Sequence, residues 1–288
     1  MLLIADSGST KADWLLAENG KVIQSFSSMG FNPFFHNAEV VYKDLSKNKA
    51  LKKYSKLIKE VKFFGAGCSF PARNKIIAEG LTRVFPNAKV IVDHDMLGAA
   101  LSACNNKAGL VCILGTGSNI AYFDGKNLSE TRHGLGYVLG DESSGSHYGK
   151  KLLAYFIYKT MPADLRKAFY SKYRLTKEKA IKHVYQMPDP NVYLASFAKF
   201  LSDHKNHKWI KELVYKGMTD FFETNIRAYP QYKTAPVHFI GSIAFYFKDT
   251  LQQVADENGF KMGKILVKPV DELMKYFLAE TSIFKQKK

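Results

Sequence analysis

Apolar and polar positions along the chain fall into two similar runs. The first begins with apolar Leu2 to Ala5, breaks on "DSGST" (Asp6 to Thr10), resumes in "ADWLLA", turns at Asn19-Gly20 and continues as "KVIQSF". Apolar runs bounded by Gly, Asn and Asp predict strands, and Asn-Gly between two of them predicts a tight hairpin. The second run starts near residue 109 with "GLVCIL", breaks on "GTGSN", resumes as "IAYF", turns at Asp124-Gly125 and goes on into "KNLSET". Two meanders are therefore expected, each with a Gly/Ser/Thr loop after its first strand, roughly 105 to 110 residues apart. That period exceeds the ~20 to 50 residues of a solenoid repeat and fits two duplicated lobes.

Elsewhere strand and helix patterns alternate. In "AKVIVDHDMLGAALSA" a buried strand leads through Asp93 and Asp95 into a helix of small residues. In "PVHFIGSIAFYFKDTLQQVADENGF" a strand ends at Ile240, Gly241-Ser242 makes the bend, and one apolar-periodic helix is expected as far as a stop at Gly259. The section from about Lys150 to Pro230 reads as mostly helical, interrupted at Pro162, at "MPDPN" and at "RAYP", a scaffold grown into the second lobe. In "DHKNHKW", His204 and His207 stand three apart. With no third ligand apparent, a solvated helix face is expected there rather than a metal site.

Composition narrows the function classes. A chain of 288 residues can bury one large core or two modest ones, and the two-run pattern favours two lobes. Apolar stretches such as "LLAYFI" fall far below the ~20 residues that span a bilayer. The start "MLLIADSG" lacks a basic region and a cleavage site, so a cytoplasmic protein with no membrane partner is expected. Cys68, Cys104 and Cys112 have neither C-x-x-C spacing nor even number, and read as buried free thiols. The net charge of +16 raises nucleic acid as a partner. The lysines, however, are scattered at spacings of solvated helix faces and no recognition motif accompanies them, so no nucleic-acid partner is expected.

"DSGSTK" has the residue types of a P-loop, but neither its G-x-x-x-x-G-K-[ST] order nor a following helix. Alone, each Gly/Ser/Thr loop is an ordinary turn. Carried by two facing lobes, two such loops can aim backbone N–H groups at one polyphosphate, since glycine permits close approach and successive N–H groups form an anion-binding concavity. The cleft between the lobes is then the expected active site. The strand, Gly241-Ser242, helix junction suits a flat base or a ribose.

The segments "DSGSTKADW", "LGTGSNIAYFDG", "HGLGYVLGDESSGSHYG" and "FIGSIA", in this order, resemble the phosphate-1, phosphate-2, sugar-side and adenosine segments of the N-acetylglucosamine kinase family. That family belongs with the actin, sugar-kinase and Hsp70 superfamily and overlaps in sequence with the activator-type ATPases of benzoyl-CoA reductase. The resemblance covers nearly the whole chain. It implies an α/β fold of two ribonuclease-H-like (actin-like ATPase) lobes with a nucleotide-binding cleft between them. Residues 1–106, joined by a C-terminal helix at 271–288, would form the first lobe, and 107–270 the second, with a helical insertion at about 150–230.

The activity implied is transfer of the γ-phosphate of ATP, with Mg²⁺, to the C6 hydroxyl of N-acetylglucosamine, with N-acetylmuramic acid and glucosamine as alternatives. A homodimer is implied by analogy. The resemblance places Asp6, Gly8, Ser9, Thr10 and Lys11 in phosphate-1, with Asp6 positioning Mg²⁺ through water. It places Gly115, Thr116, Gly117 and Ser118 in phosphate-2 and Gly241 and Ser242 on the adenosine. The catalytic base of an Asp-x-x-Gly-Ala stretch falls on Asp95. Asn32, Asp95, Thr116, Gly117 and Asp141 fall on the sugar side, and Glu142 stands by Mg²⁺ or orients its loop.

These residue types suit the chemistry, because phosphoryl transfer asks mostly for positioning and charge neutralisation, and a carboxylate suffices as base. Asp95 can equally be read as a helix cap, Asp93 as a metal-side carboxylate or a strand-end residue, and Lys11 as a phosphate ligand or an outward-facing charge. No residue of "FFGAGCSFPARN" matches the family position that faces the N-acetyl group. Two other classes compete: an ATPase that activates a partner enzyme through a cysteine-held cluster, and a nucleotide-dependent interaction protein that hydrolyses ATP without sugar.

Overall fold

The computed structural model describes residues 1–129 and 134–286, with side chains through Ala279. Residues 130–133, which end the expected "KNLSET" strand and include the His133 that opens the sugar-side segment, lie outside the described residues, as do Lys287 and Lys288. The chain forms two compact units. One comprises residues 1–107, 123–128 and 268–288, the other 108–122 and 129–267.

In the first unit the elements run β1 (Leu2–Ser7), β2 (Lys11–Glu18), β3 (Lys21–Met29), α1 (Ala38–Ser46), α2 (Lys49–Tyr54), β4 (Glu60–Gly65), α3 (Pro71–Val84), β5 (Lys89–His94) and α4 (Asp95–Cys104). The sheet order is β3-β2-β1-β4-β5, with β1–β2–β3 antiparallel and β1, β4 and β5 parallel. Strand β1 is apolar at successive positions because both of its faces are covered. Leu3 and Ala5 pack with Val41 and Leu45 of α1 and Ile77 and Leu81 of α3, while Ile4 packs on the opposite face. Trp14 is buried in the hairpin, stacked on Phe26 at 5.6 Å, and its indole N–H donates to Ser28 Oγ at 2.9 Å, the polar partner a buried indole needs.

Register decides what this sheet offers. Ser7, Gly65 and His94 are paired across β1, β4 and β5, so the three parallel strands end level and their following loops leave from one edge. In α/β sheets that carboxyl edge is where ligands bind.

The second unit contains β6 (Gly109–Leu114), β7 (Ser118–Phe123), β8 (Leu128–Ser129), α5 (Gly136–Leu139), α6 (Gly145–Ile157), α7 (Ala163–Tyr173), α8 (Lys177–Gln186), α9 (Pro190–Ala195), α10 (Ala198–Asp203), α11 (Lys208–Thr224), β9 (Val237–Ile240), α12 (Ser242–Tyr246), α13 (Lys248–Asn258) and β10 (Met262–Leu266). Its sheet order is β10-β9-β6-β7-β8, and β6, β9 and β10 are parallel. Reversed, this is the order of the first sheet, with β6 in the place of β1. The meander repeated in the sequence is therefore a repeated topology. Helix α14 (Pro269–Gln286) returns to the first unit, where Val270, Leu273, Met274 and Phe277 pack against Ile4, Leu15 and Phe64 beside Leu97 and Leu101 of α4.

Three local expectations need correction. The helix expected from Ser242 to Gly259 is two helices, broken at Phe247, which leaves helical geometry (φ −118°, ψ 31°) and buries its ring in the core while Phe245 and Tyr246 stay half exposed. His204 and His207 do not share a helix face. His204 ends α10, whereas His207 caps α11, accepting from the Trp209 N–H at 3.1 Å with Nε2 3.2 Å from Asp164. Among the described residues no group of three or more His, Cys, Asp and Glu is arranged to hold a metal ion. Finally, Asp95 is not the cap of α4. It is the first helical residue, after His94, and its Oδ1 accepts from the Met96 N–H at 2.9 Å. Among the described residues no helix is long and apolar enough to cross a membrane.

Candidate active site

Strand alternation gathers the carboxylates of the first unit. Asp13, Asp6, Phe64 and Asp93 form one cross-strand row over β2, β1, β4 and β5, so their side chains share a face. Phe64 shows which face this is, the one covered by α4 and α14. Asp95 opens α4 at the end of β5. The Asp6 carboxyl is raised from 3.8 to about 7, first by its withdrawal from water and then by the negative charges of Asp95 and Asp13. An acid in this setting favours a proton or a cation.

Lys11, the residue that made "DSGSTK" look like a P-loop, donates from Nζ to Asp13 Oδ1 at 2.7 Å, and its side chain is half exposed. It partly neutralises the neighbour of Asp6. Asp93 accepts from the His94 N–H at 2.8 Å and is half exposed.

The opposite face positions the first loop. Ser7 is fully buried, and its Oγ accepts from the Phe31 N–H at 3.0 Å. Gly8 N–H closes the hairpin turn onto the Lys11 carbonyl at 3.0 Å. Asn32, 7 % exposed, donates from Nδ2 to Ser9 Oγ at 3.3 Å and accepts at Oδ1 from the Phe34 N–H at 3.0 Å. Asn32 is thus tied to the loop carrying Ser9 and Thr10. Sequence reasoning missed Gly30. A β-carbon there would stand 2.0 Å from the Gly8 carbonyl oxygen and 2.8 Å from the Lys11 nitrogen, so only glycine lets the end of β3 back the loop. The signal available was a lone glycine just after a strand.

The segment after β4, unmatched in the sequence comparison, lies at the same edge. Ala66 N–H donates to the Ser7 carbonyl at 2.8 Å. Cys68 is fully buried, and its thiol is pushed up to about 12 by burial and then by the charges of Asp95 and Asp93. Cys104 and Cys112 are also buried, and burial raises the Cys112 thiol well above its ordinary value.

In the second unit the loop Gly115 to Ser118 is held from three sides. Gly241 has φ +117°, and a β-carbon would meet the Leu114 carbonyl oxygen at 2.4 Å, so the bend after β9 lies directly on the end of β6. The start of α6 donates to the loop carbonyls, Gly145 N–H to Gly115 at 2.8 Å and Ser146 N–H to Thr116 at 3.0 Å. Asp141 Oδ1 accepts from the Ser118 N–H at 3.2 Å. To do so Asp141 adopts a left-handed backbone (φ +59°), as does Ser143, conformations uncommon outside glycine that concentrate at functional loops. Burial raises the Asp141 carboxyl, and the Ser118 N–H and Lys150 oppose the rise.

Glu142 Oε2 accepts from Asn225 Nδ2 at 3.3 Å. Lys150 Nζ donates to the Tyr137 carbonyl. Ser144 caps α6 through the His147 N–H at 3.1 Å. Ser242 begins α12 directly after Gly241. Each unit therefore assembles one of the expected clusters from residues distant in sequence. The first holds Asp6, Gly8 to Lys11, Asn32 and Asp95, and the second holds Gly115 to Ser118, Asp141, Gly241 and Ser242.

Two units with the same strand order, each carrying a Gly/Ser/Thr loop after its central strand, match the two-lobe sugar kinase/ROK fold. The comparisons with known proteins agree. The structure is similar over 98 % of its length to all of a protein from Porphyromonas gingivalis provisionally named an N-acetylglucosamine kinase, with 36 % identity and a TM-score of 0.90. The chain belongs to that N-acetylglucosamine kinase family.

A second protein provisionally given the same name, from Chromobacterium violaceum, shares the fold at 14 % identity, with a TM-score of 0.72 and 96 % and 98 % of the two chains covered. A ROK-family glucokinase from Streptomyces griseus, solved with glucose and AMPPNP, shares it at 12 % identity, with a TM-score of 0.55 and 97 % and 98 % covered. No protein-family model and no curated protein matches the sequence.

Proposed function

We propose that the protein is an ATP-dependent amino-sugar kinase that transfers the γ-phosphate to the C6 hydroxyl of N-acetylglucosamine. The observation that carries this reading is the electrostatic coupling of Asp6, raised to about 7, to Asp95 at the level carboxyl ends of β1 and β5, beside a loop tied to Asn32. It is supported by the full-length similarity to a protein provisionally named for that activity.

Asp95 is the general base. It takes the proton of the sugar hydroxyl as that oxygen bonds to the γ-phosphorus and the bond to the ADP oxygen breaks, a role worth ~10² to 10⁴-fold. As the first residue of α4, Asp95 stands at the carboxyl end of β5. The loops Gly8 to Lys11 and Gly115 to Ser118 hold phosphate oxygens through their hydroxyls and through N–H groups other than those of Gly8, Gly115 and Ser118, which donate within the protein, and Gly241 and Ser242 border the adenosine. Asn32 and Asp141 serve the sugar while fixing Ser9 and Ser118 respectively.

The residues present fit a divalent cation. Asp6 offers one withdrawn carboxyl, a hard oxygen donor, and Mg²⁺ is commonly held by one or two carboxylates together with waters and substrate phosphates rather than by a cage of protein ligands. When bound, Mg²⁺ supplies neutralisation of the phosphate charge. Asp6 would hold it through water, and the Lys11 to Asp13 pair limits the repulsion Asp6 feels. Glu142, engaged by Asn225, orients its own loop.

ADP release with Mg-ATP, measured with glucose, glucosamine, N-acetylglucosamine, N-acetylmannosamine and N-acetylmuramic acid, tests the reading. N-Acetylglucosamine should stimulate turnover, and Asp95→Asn should lose at least ~10²-fold in kcat. If no sugar exceeds the sugar-free rate, the kinase reading is wrong. If Asp95→Asn retains most activity, the base is another residue. The competing activator-type ATPase reading needs a cysteine pair facing a cluster, and all three thiols are buried.

A further inference from the structure

The candidate active site leaves the net charge of +16 without a use, and part of that charge gathers at one place in the helical insertion. Residues 159–182 hold eight basic side chains against two acidic ones, Asp164 and Glu178. Between the end of α6, α7 and the start of α8 lies a pocket of about 540 Å³, lined by Lys159, Arg166, Lys167 and Lys177 together with Phe156 and Tyr170. Its volume is in the range of small-ligand sites. Among the described residues no acid lines it. Lysines that read in sequence as scattered over solvated helix faces are thus drawn to one concavity by the folding of three helices.

Arg166 fixes the geometry. Its Nη1 donates to the Lys159 carbonyl at 3.1 Å, and both residues line the pocket, so the guanidinium lies along the wall that joins α7 to the end of α6. That bond uses one donor of the fork, and no acid among the described residues takes the others. Lys159 itself has a left-handed backbone (φ +60°) just past a helix end, where glycine is usual, and a cation stands there instead. Lys159, Lys167 and Lys177 make no ion pair among the described residues, whereas Lys172 and Lys199 of the same insertion both close on Asp203, at 2.5 and 2.6 Å. The two acids of the segment are engaged within the chain. Asp164 accepts from the Leu165 N–H and lies 3.2 Å from His207 Nε2, and Glu178 bonds Thr176 and its own N–H. Ala163 and Lys177, the first residues of α7 and α8, also line the pocket, so two helix N-termini add to its positive potential. On the apolar side Tyr170 is half exposed, and Phe156 rests on the buried Phe169 ring at 5.1 Å.

We propose that this pocket binds a soluble phosphate ester whose organic part is flat or apolar. The Arg166 fork grips phosphate oxygens, the lysines neutralise their charge, and Tyr170 and Phe156 take the organic part. A phosphate monoester carries about two negative charges near neutral pH, which four cations match better than the single charge of a carboxylate. The site is separate from the phosphate loops and independent of the amino-sugar kinase reading. Helix α6 meets the Gly115 to Ser118 loop at Gly145 and reaches the pocket near Ile157, roughly 18 Å further along at ~1.5 Å per residue.

The test titrates the full chain calorimetrically with phenyl phosphate, inorganic phosphate and phenol. Wild type should bind phenyl phosphate about 10-fold more tightly than inorganic phosphate and should not bind phenol. Arg166→Gln should weaken phenyl phosphate by about 10 to 100-fold, and Lys177→Gln by less, since it removes a charge but no fork. Tyr170→Ala should erase the advantage of phenyl phosphate over inorganic phosphate. Lys211→Gln, an exposed lysine of α11 outside the pocket, should change nothing. Absence of saturable phenyl phosphate binding by wild type overturns the proposal, as does a loss in Lys211→Gln equal to that in Arg166→Gln, which would mark the binding as diffuse charge. Sedimentation with phosphatidylglycerol vesicles separates the other source of the same chemistry. Arg166-dependent sedimentation by a protein that ignores phenyl phosphate would assign the pocket to a lipid headgroup and overturn the soluble ligand.

Discussion

Replacing Asp6 by asparagine should make the ligand-free protein more stable above neutral pH while abolishing its activity. Asp6 titrates at about 7 in the folded chain against 3.8 as its ordinary value. Below about pH 4 both folded and unfolded states hold the proton and the residue is neutral to stability. Between about pH 4 and pH 7 the unfolded state releases its proton first, so the folded state binds more protons and stability falls as pH rises. Above about pH 7 both states are ionised and the full penalty is present. A rise from 3.8 to about 7, at ~1.36 kcal/mol per unit, sets a ceiling near 4 kcal/mol. Water reaching the partly exposed carboxylate lowers this to about 2 to 4 kcal/mol.

Asparagine keeps the shape and removes the charge. At ~2 to 4 °C per kcal/mol for a chain of this size, Asp6→Asn should unfold about 5 to 15 °C above wild type at pH 8, with the gap closing toward pH 4. Thermal unfolding followed by circular dichroism from pH 4 to pH 8 reads this directly. Asp13→Asn should recover a smaller part, because Asp13 is the least of the three causes. An Asp6→Asn protein no more stable than wild type at pH 8, or a gap independent of pH, would refute the picture of a crowded carboxylate.

Three further outcomes follow from the geometry. Gly30→Ala drives a β-carbon to 2.0 Å from the Gly8 carbonyl, where backbone must move; it should cost about 1 to 3 kcal/mol and raise the KM for ATP by at least ~10-fold, and an unchanged KM would detach this loop from the phosphates. Asp141→Ala removes the acceptor of the Ser118 N–H and should raise the KM for ATP about 5 to 30-fold alongside any effect on sugar, whereas a change in the sugar KM alone would confine Asp141 to the sugar. With all three thiols buried, and the Cys68 thiol pushed up to about 12, the folded protein at pH 8 should resist iodoacetamide and yield three alkylated cysteines only after unfolding; rapid native labelling would show an exposed thiol.

Much of the architecture was legible in the chain itself. Strand β1 and its hairpin, Asn19-Gly20, the second meander with Asp124-Gly125, and the strand-to-helix passage through Asp93 and Asp95 are local signals, set by alternation and turn chemistry over a few residues. The break at Phe247 was not legible, because the helical period runs through it, and only burial of that ring in the second core ends α12. The histidine pair was misplaced for a similar reason. Spacing in sequence says nothing of the helix boundary that separates His204 from His207.

The candidate site divides along the same line. The sequence by itself determined which residues were chemically able to serve: the two Gly/Ser/Thr loops, the aspartates at strand ends, the Gly241 bend. Only the tertiary structure decided that Asp13, Asp6 and Asp93 share a row facing the start of α4, that Gly30 underlies the first loop, and that Asp141 grips the second. The reason is physical. Turn and strand preferences act within a few residues, whereas these contacts join positions up to tens of residues apart through strand register and close packing, which no local pattern encodes.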